Sequence, residues 1–467
     1  MYVGGPHTRS VIIVTDIYPP VPAVGVYRTV ALCRRLVEKG WHVTVITAKP
    51  ALDVFLDHAL LERAPAGVRI IRTAAPHLLT LAARILRKRP RAAAQSASQG
   101  AAPAAASHPS KSRKGLFRKT IDWLSWWIHL PDTSTGWFIP AVWAGLREAR
   151  RERPDVIYCT APAWTSHLVG AALSRLLRVP LLADFQDPWC GSAWHKVPYR
   201  THQRIDEAME RLVVRQARQI TCAWDGIRKH LAARYSHRQE EIRTILNGFP
   251  PGELEGIAPQ RLDETRCVLL HTGMFYGPRS PIPMLEGLRR FKDQYPGDAK
   301  GLLVAFVGQP EYGGRPLQSL VQEHGLDGLV RVIPRVTRRE ALALLKGADV
   351  AMLFGQSGNE ALASVPAKTY DYISAGAPVL AIGAGTEACE IMRRGGCRVW
   401  ATRADNPSTI VDALKQIVVA YGQNGLNGQY VAAEKEAFAW PRLAEELATV
   451  LEQTAHGRRH QACPTPC

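Results

Sequence analysis

In the stretch LLADFQDPW, residues 181–189, two carboxylates stand three residues apart, Asp184 and Asp187. The apolar residues before them, following Pro180, read as a buried strand, so both acids fall at or just past its carboxyl end. Acids so placed suit one of two tasks. They can orient or partly deprotonate a hydroxyl group, or they can accept N–H groups of their own loop and cap it. Metal chemistry is not indicated. The nine cysteines are scattered singly, their total is odd and no CxxC pair occurs, so neither a zinc site nor a disulfide framework is expected. Cys463 and Cys467 belong to the polar tail HGRRHQACPTPC.

Positioning such residues takes a scaffold. With 467 residues the chain is too long for one hydrophobic core, and two domains are the natural expectation. A hydrophobic share of 46% supplies both cores. No apolar stretch approaches the roughly 18 residues that span a membrane. The N-terminus MYVGGPHTRS, followed by VIIVTD, has too short an apolar run for a secretory leader, so a cytoplasmic location is expected. The net charge of +18 is concentrated: ten basic residues and no acidic one lie from Arg84 to Lys119. A local charge of this kind argues against a nucleic-acid-binding role for the whole chain.

VIIVT (11–15) is the first strand. The turn DIYPPVPAVG leads from it into a helix carrying Val26, Val30, Cys33 and Val37 on one side and ended by Gly40. HVTVIT (42–47), DVIYCT (155–160), PLLADF (180–185), QITCA (219–223) and IRTILNG (242–248) follow as strands, with helices near 165–177, 202–217 and 225–235. After a looser stretch near 250–265 the alternation begins again. Its strands are CVLLHTG (267–273), GLLVAFVG (301–308), VRVIPRV (330–336), VAMLFG (350–355), PVLAIG (378–383) and CRVWAT (397–402). Strands alternating with helices predict an α/β fold of two doubly wound parallel sheets. The expected domains are 1–250 and 265–435, with a C-terminal helix at 436–455 packing back towards the first domain and a flexible tail at 456–467. Such sheets bind ligands at the carboxyl ends of their strands, which predicts a ligand in a cleft between the two domains.

Residues 84–136 interrupt the first domain. AAAQSASQGAAPAAASHPS cannot bury a core and reads as a flexible linker. In GLFRKTIDWLSWWIHL a helix would gather Phe117, Ile121, Leu124 and Ile128 on one face, widened by Trp123 and Trp127, opposite Arg118, Asp122, Ser125 and His129. Beside a basic flank this pattern fits an interfacial membrane anchor; it fits a helix packed on its own domain equally well.

Eight segments complete the pattern: DIYPP, PDTSTGW (131–137), PDVIYCTAPAWTSHL (154–168), LLADFQDPW (181–189), TILNGF (244–249), HTGMFYGPRSPIPMLEGL (271–288), GADVAMLF (347–354) and VPAKTYDYISAGAPVLAIG (365–383). In this order they resemble the bacterial retaining glycosyltransferases of family 4, in the branch that assembles exopolysaccharide, capsule or O-antigen. The resemblance spans nearly the whole chain apart from 84–118 and the tail. It implies the GT-B fold, two Rossmann-like domains with the nucleotide sugar held mainly by the second. The implied reaction passes a sugar from a nucleoside-diphosphate sugar to a lipid-linked or saccharide acceptor. The donor is a substrate, and no cofactor, metal or nucleic acid is implied. An anionic membrane surface, on the inner face of the cell membrane, is a further partner expected through residues 84–130.

The resemblance also assigns roles. Arg279, six residues after Gly273, stands where the family usually places a phosphate-binding lysine, and a guanidinium fits phosphate oxygens in bidentate fashion. Met274 stands where a second cation is common, so Lys368, in the first turn of a helix opened by Pro366, is expected to replace it. Asp371 takes the place of a ribose-binding carboxylate, while its usual companion position holds Ala363, with Glu360 out of register. Gly273 is expected among the donor contacts. In the first domain, Gly25 in the first loop would let the backbone approach the diphosphate, and Arg28 would reach phosphates or acceptor. Asp187 is the carboxylate expected to orient or partly deprotonate the acceptor hydroxyl. Asp184 and His167 are expected to line the same site, with Asp184 the more structural of the two acids. Gln186 replaces the usual arginine between them. Trp137 and Trp189 suit sugar stacking or core packing. Arg279, Lys368 and Asp187 are thus the expected catalytic residues. A nucleotide-sugar epimerase of the same fold and a non-catalytic scaffold for polyanions or lipid are the competing readings.

Overall fold

The computed structural model describes residues 8–51, 56–76, 127, 129–161, 163–191, 195, 197, 199–275, 279–308, 310–355, 364–423, 426 and 435–456. Most of the insert at 84–136, Glu360, Ala363 and the tail beyond 456 lie outside the described residues.

The chain forms two compact units, one of residues 1–246 and 444–467, the other of residues 247–443. The first is built on seven parallel strands: β1 (Ser10–Val14), β2 (His42–Ala48), β3 (Val68–Thr73), β4 (Val156–Thr160), β5 (Leu181–Phe185), β6 (Gln219–Cys222) and β7 (Ile242–Thr244). Their order across the sheet is β3-β2-β1-β4-β5-β6-β7. Strands β1, β4 and β5 are buried along their whole length, as continuous apolar runs in a sheet covered on both faces must be. The strand order reverses between β1 and β4, where such folds place ligands. Strand β3 has no counterpart among the predicted strands. It is the sheet edge, with Arg69 and Arg72 interrupting Val68, Ile70 and Ile71, so it carries no apolar run to read.

The second unit repeats the plan with β8 (Cys267–Gly273), β9 (Leu302–Gly308), the short hairpin β10 (Glu311–Tyr312) and β11 (Arg315–Pro316), β12 (Val330–Ile333), β13 (Val350–Phe354), β14 (Val379–Ile382) and β15 (Val399–Thr402). The six long strands are parallel in the order β12-β9-β8-β13-β14-β15, so the reversal lies between β8 and β13. One face is covered by the helices Ile282–Gln294 and Pro407–Gly422, which approach closely where Gly287 lies against Ile410. Two doubly wound parallel-sheet units are what the alternation of strands and helices predicted.

The last helix, Trp440–His456, starts in the second unit, and its residues from Ala444 onward belong to the first. There Lys39 pairs with Glu445 at 2.8 Å and Glu452 at 3.3 Å, Arg243 donates to Gln453 at 3.1 Å and Arg9 meets His456 at 2.8 Å. Where the chain enters and leaves the second unit, Phe249 and Ala439 form a parallel bridge, and Gly248 lies so close to the Phe438 carbonyl that a Cβ would come within 2.4 Å of it.

Candidate active site

At the carboxyl ends of β4, β5 and β6 the first unit holds one buried ion pair. Arg28 projects from the helix Val24–Glu38, and its Nε and Nη2 donate to Asp184 Oδ2 and Oδ1 at 2.9 and 2.8 Å. Register puts Thr160, Asp184 and Thr221 side by side on adjacent strands. Their hydroxyls donate to the same carboxylate at 2.9 and 2.6 Å, and Tyr158 adds a third at 2.8 Å. Burial alone would raise Asp184, yet Arg28 and the Thr221 and Tyr158 hydroxyls hold it below the ordinary carboxylate value. Arg28 uses its remaining Nη1 on the carbonyls of Ile245 and Leu246, both at 2.9 Å. Neither side chain has any exposed surface. Arg28 and Asp184, expected to line a substrate site, are engaged with one another and with the fold.

His167, expected to line the same site, is enclosed too, with its Nε2 buried and lacking a hydrogen-bond partner among the described residues. It is fully buried in the helix Trp164–Leu177, its Nδ1 lies 3.1 Å from Cys159 Sγ, and its ring stacks on Phe185 at 4.4 Å. Burial pulls its pKa down to about 4, against the pull of Asp184, so it is neutral at physiological pH. Gly25 lies inside the first helical turn rather than in the loop before it, and a Cβ there would come within 2.9 Å of the Gln186 amide. Gln186 in turn donates to Thr160 Oγ1 at 2.7 Å, so the residue that replaces the usual arginine is tied into the same group. Trp137 and Trp189 are both fully buried and serve as core.

Asp187 differs from its neighbour: it keeps part of its surface on the loop after β5. That loop is clasped from below by two acids one turn apart on the helix Arg200–Gln216. Asp206 accepts Trp189 Nε1 at 2.8 Å and His195 Nε2 at 2.7 Å, and Glu210 accepts the Cys190 N–H and the Tyr235 hydroxyl, both at 2.8 Å. Sequence reasoning passed over these acids because they read as ordinary helix-surface carboxylates.

It also passed over Asp16 and Asp132. Asp132 accepts the N–H and hydroxyl of Thr165, both at 2.8 Å, and so fastens the start of the helix Trp164–Leu177. Asp16, two residues past β1, faces it at the strand reversal. Burial and the nearby Asp132 carboxylate raise Asp16 to about 7. The signal was the first acid after the first strand, and its partner is far away in sequence.

In the second unit the candidates converge on the end of β8. Gly273, its last residue, has φ +139, and a Cβ there would come within 2.0 Å of Lys368 Nζ. Only glycine leaves room for that ammonium group. Lys368 opens the helix Lys368–Ala375. Arg279 Nη2 donates to Ser364 Oγ at 3.1 Å, just ahead of that helix. Burial and the Arg279 charge pull Lys368 down to about 8, while Asp371 pulls the other way. His271, missed from sequence, lies two residues before Gly273 and is 3% exposed. Its Nδ1 donates to the Met352 carbonyl at 3.0 Å, and burial, Lys368 and Arg279 hold it well below its ordinary pKa. Asp371 shares the helix with Lys368, but its carboxylate is held by Arg338 at 2.7 and 3.2 Å, and Arg338 also reaches Glu253. The structure thus gathers Gly273, Arg279 and Lys368, with Asp371 turned to a cation of its own. Met274 is 45% exposed beside them.

Two Rossmann-like units of this kind define the GT-B fold class. Residues 113–248 match the family model described as a glycosyl transferase 4-like domain, which bears out the resemblance to glycosyltransferases. Solved structures of the same fold include sucrose-phosphate synthase from Thermosynechococcus elongatus, at 16% identity and TM-score 0.60 over 96% of this chain and 99% of that one. Anabaena HepE in complex with UDP and glucose matches at 14% identity and TM-score 0.59, over 96% of this chain and 100% of the other. The trehalose 6-phosphate synthase from Burkholderia multivorans matches at 11% identity and TM-score 0.60, over 98% and 99%. No curated protein matches the chain.

Proposed function

We propose that this protein is a retaining glycosyltransferase that moves a sugar from a nucleoside-diphosphate sugar to a lipid-linked or saccharide acceptor in the synthesis of cell-surface polysaccharide. The observation that carries the reading is the cationic group at the end of β8. Lys368 is packed onto Gly273, and the neighbouring Arg279 charge adds to burial in disfavouring its ammonium form. Two cations gathered at a strand end suit a ligand of opposite sign, and a diphosphate supplies it with several oxygens at once. The same two cations would hold the charge that develops on the leaving diphosphate as the glycosidic bond breaks. Anabaena HepE, of the same fold, has been captured with UDP and with UDP-glucose, which agrees with a nucleotide-sugar donor.

Asp187 is the carboxylate we assign to the acceptor, orienting its hydroxyl and drawing on its proton as the new bond forms. The Asp206 and Glu210 clasp fixes the loop that carries it.

Thermal unfolding with millimolar UDP, GDP, ADP and CMP tests the reading. A ligand at 100 times its dissociation constant adds about 2.7 kcal/mol. One nucleoside diphosphate is expected to raise the melting temperature, and Arg279→Ala to abolish the rise. No rise with any of them would overturn the assignment of the donor site. With the donor known, Asp187→Asn is expected to keep the nucleotide shift and to lower sugar transfer about 10²-fold or more.

A further inference from the structure

We propose that the outward face of the helix Phe138–Arg151 is a contact surface for anionic lipid. The inner face of this helix is small: Ala141, Ala144 and Gly145 are buried, and Gly145 lies against Leu173 of the helix Trp164–Leu177. Glu148, the helix's single acid, is also turned inward and binds Arg69 of β3 at 2.7 Å. The outward face is of another kind. Ile139 is 76% exposed and Trp143 63% exposed, and Arg147 and Arg150 are exposed beyond them. Positions 139, 143, 147 and 150 fall on one stripe of a helix. The Arg147 guanidinium lies 5.5 Å over the Trp143 ring.

The stripe is graded along its length, bulky and apolar at the helix start, cationic at its end. This is the composition an interfacial helix needs, apolar groups for the boundary of the acyl chains and cations for the phosphates. Glu152, just past the helix, is paired with His42 at 2.6 Å. Charge selects the occupant. Arg147, Arg150 and Arg151 are exposed on the last turns while the single acid is turned inward, so a second copy of this face would bring like charge to like charge, whereas an anionic bilayer attracts it.

The orientation has a functional side. Trp137, just before the helix, donates its Nε1 to Thr73 Oγ1 at 2.6 Å, at the carboxyl end of β3. The start of the helix, with Ile139, therefore lies towards the carboxyl ends of the strands, the end of the sheet from which the Asp187 loop also leaves. A lipid-linked acceptor could stay in the bilayer while its head group reaches that end; this consequence rests on the transferase reading, whereas the lipid contact itself does not.

Co-sedimentation of the full chain with phosphatidylcholine vesicles, with and without phosphatidylglycerol, tests the surface. Binding is expected only with phosphatidylglycerol. The pairs Ile139→Ser with Trp143→Ser, and Arg147→Glu with Arg150→Glu, are each expected to weaken it about tenfold or more. Their melting temperatures and any nucleotide shift should match the parent, since all four side chains are exposed. Undiminished binding by both pairs, or no binding by the parent, would overturn the proposal. So would variants that change the oligomeric state in sedimentation velocity and leave vesicle binding alone. Nucleotide shifts are read without vesicles, so failure of the donor assignment and failure of the lipid surface are seen separately.

Discussion

The carboxyl edges of the two sheets handle charge in opposite ways. In the first unit Arg28 and Asp184 are fully buried and satisfy one another, with three hydroxyls and two carbonyls completing the set. In the second, Arg279 and Lys368 are brought together with the same sign, and Lys368 loses some of its affinity for a proton. The first arrangement pairs opposite charges; the second sets like charges side by side, which is why we propose an anion for it. Residue type and position after a strand are the same kind of signal in both units. What separates the two is sign: in the first unit the neighbouring charges are opposite and attract, and in the second they are alike.

Mutations can break or sharpen this contrast. The largest effect belongs to the closed pair: Asp184→Asn leaves a buried guanidinium without its counter-ion and is expected to destabilise the protein by about 3–5 kcal/mol, measured by urea unfolding. A loss below about 1 kcal/mol would mean that the pair is not the structural centre described here. Next comes Arg279→Ala, expected to lower sugar transfer about 10²-fold, the loss typical of one charge-stabilising group, while the melting temperature without ligand holds or rises. Full turnover in that variant would remove Arg279 from the mechanism.

The smallest effect is on pH. Burial and the Arg279 charge bring Lys368 down to about 8, so the proposed diphosphate would meet an ammonium group below that pH and an amine above it. Affinity is expected to fall several-fold from about pH 7 to about pH 9, and binding in that range to take up protons. For folding without ligand the sign is reversed. The unfolded chain holds the proton on this lysine up to a higher pH, so the Lys368 contribution to stability improves as pH rises through 8. Calorimetry in buffers of different ionisation heat reads the proton uptake. Lys368→Met should abolish it, and an unchanged uptake in that variant would assign the titration to another group.

Much of the fold was legible because buried parallel strands announce themselves as apolar runs. VIIVT, PLLADF and VAMLFG lie in the middle of their sheets. Strand β3 was hidden because an edge strand need not be apolar on both faces, and its arginines look like a loop. In the second unit the meeting of Gly273, Arg279 and Lys368 was legible, because one strand end and one helix start bring them together. In the first unit the motif was legible but the pairing within it was not. Arg28 and Asp184 are joined by tertiary geometry, and no spacing within either segment says that they will find each other. Asp16 and Asp132 were missed for the same reason, and His271 because a histidine inside an apolar strand gives no sign of what lies beside it.

The path of the chain gives the second unit the character of an inserted module. It begins after Leu246 and closes before Ala444, and Phe249 and Ala439 pair side by side at its gateway. Residues 247–443 therefore enter and leave at one point and are suited to being cut out, exchanged or joined end to end as a piece. The first unit has no such independence. Its closing helix, held by Lys39, Arg243 and Arg9, is synthesised only after the whole insertion has been made. A nascent chain can complete its second sheet before its first unit is finished, and loss of the closing helix injures the unit that lies earlier in the chain.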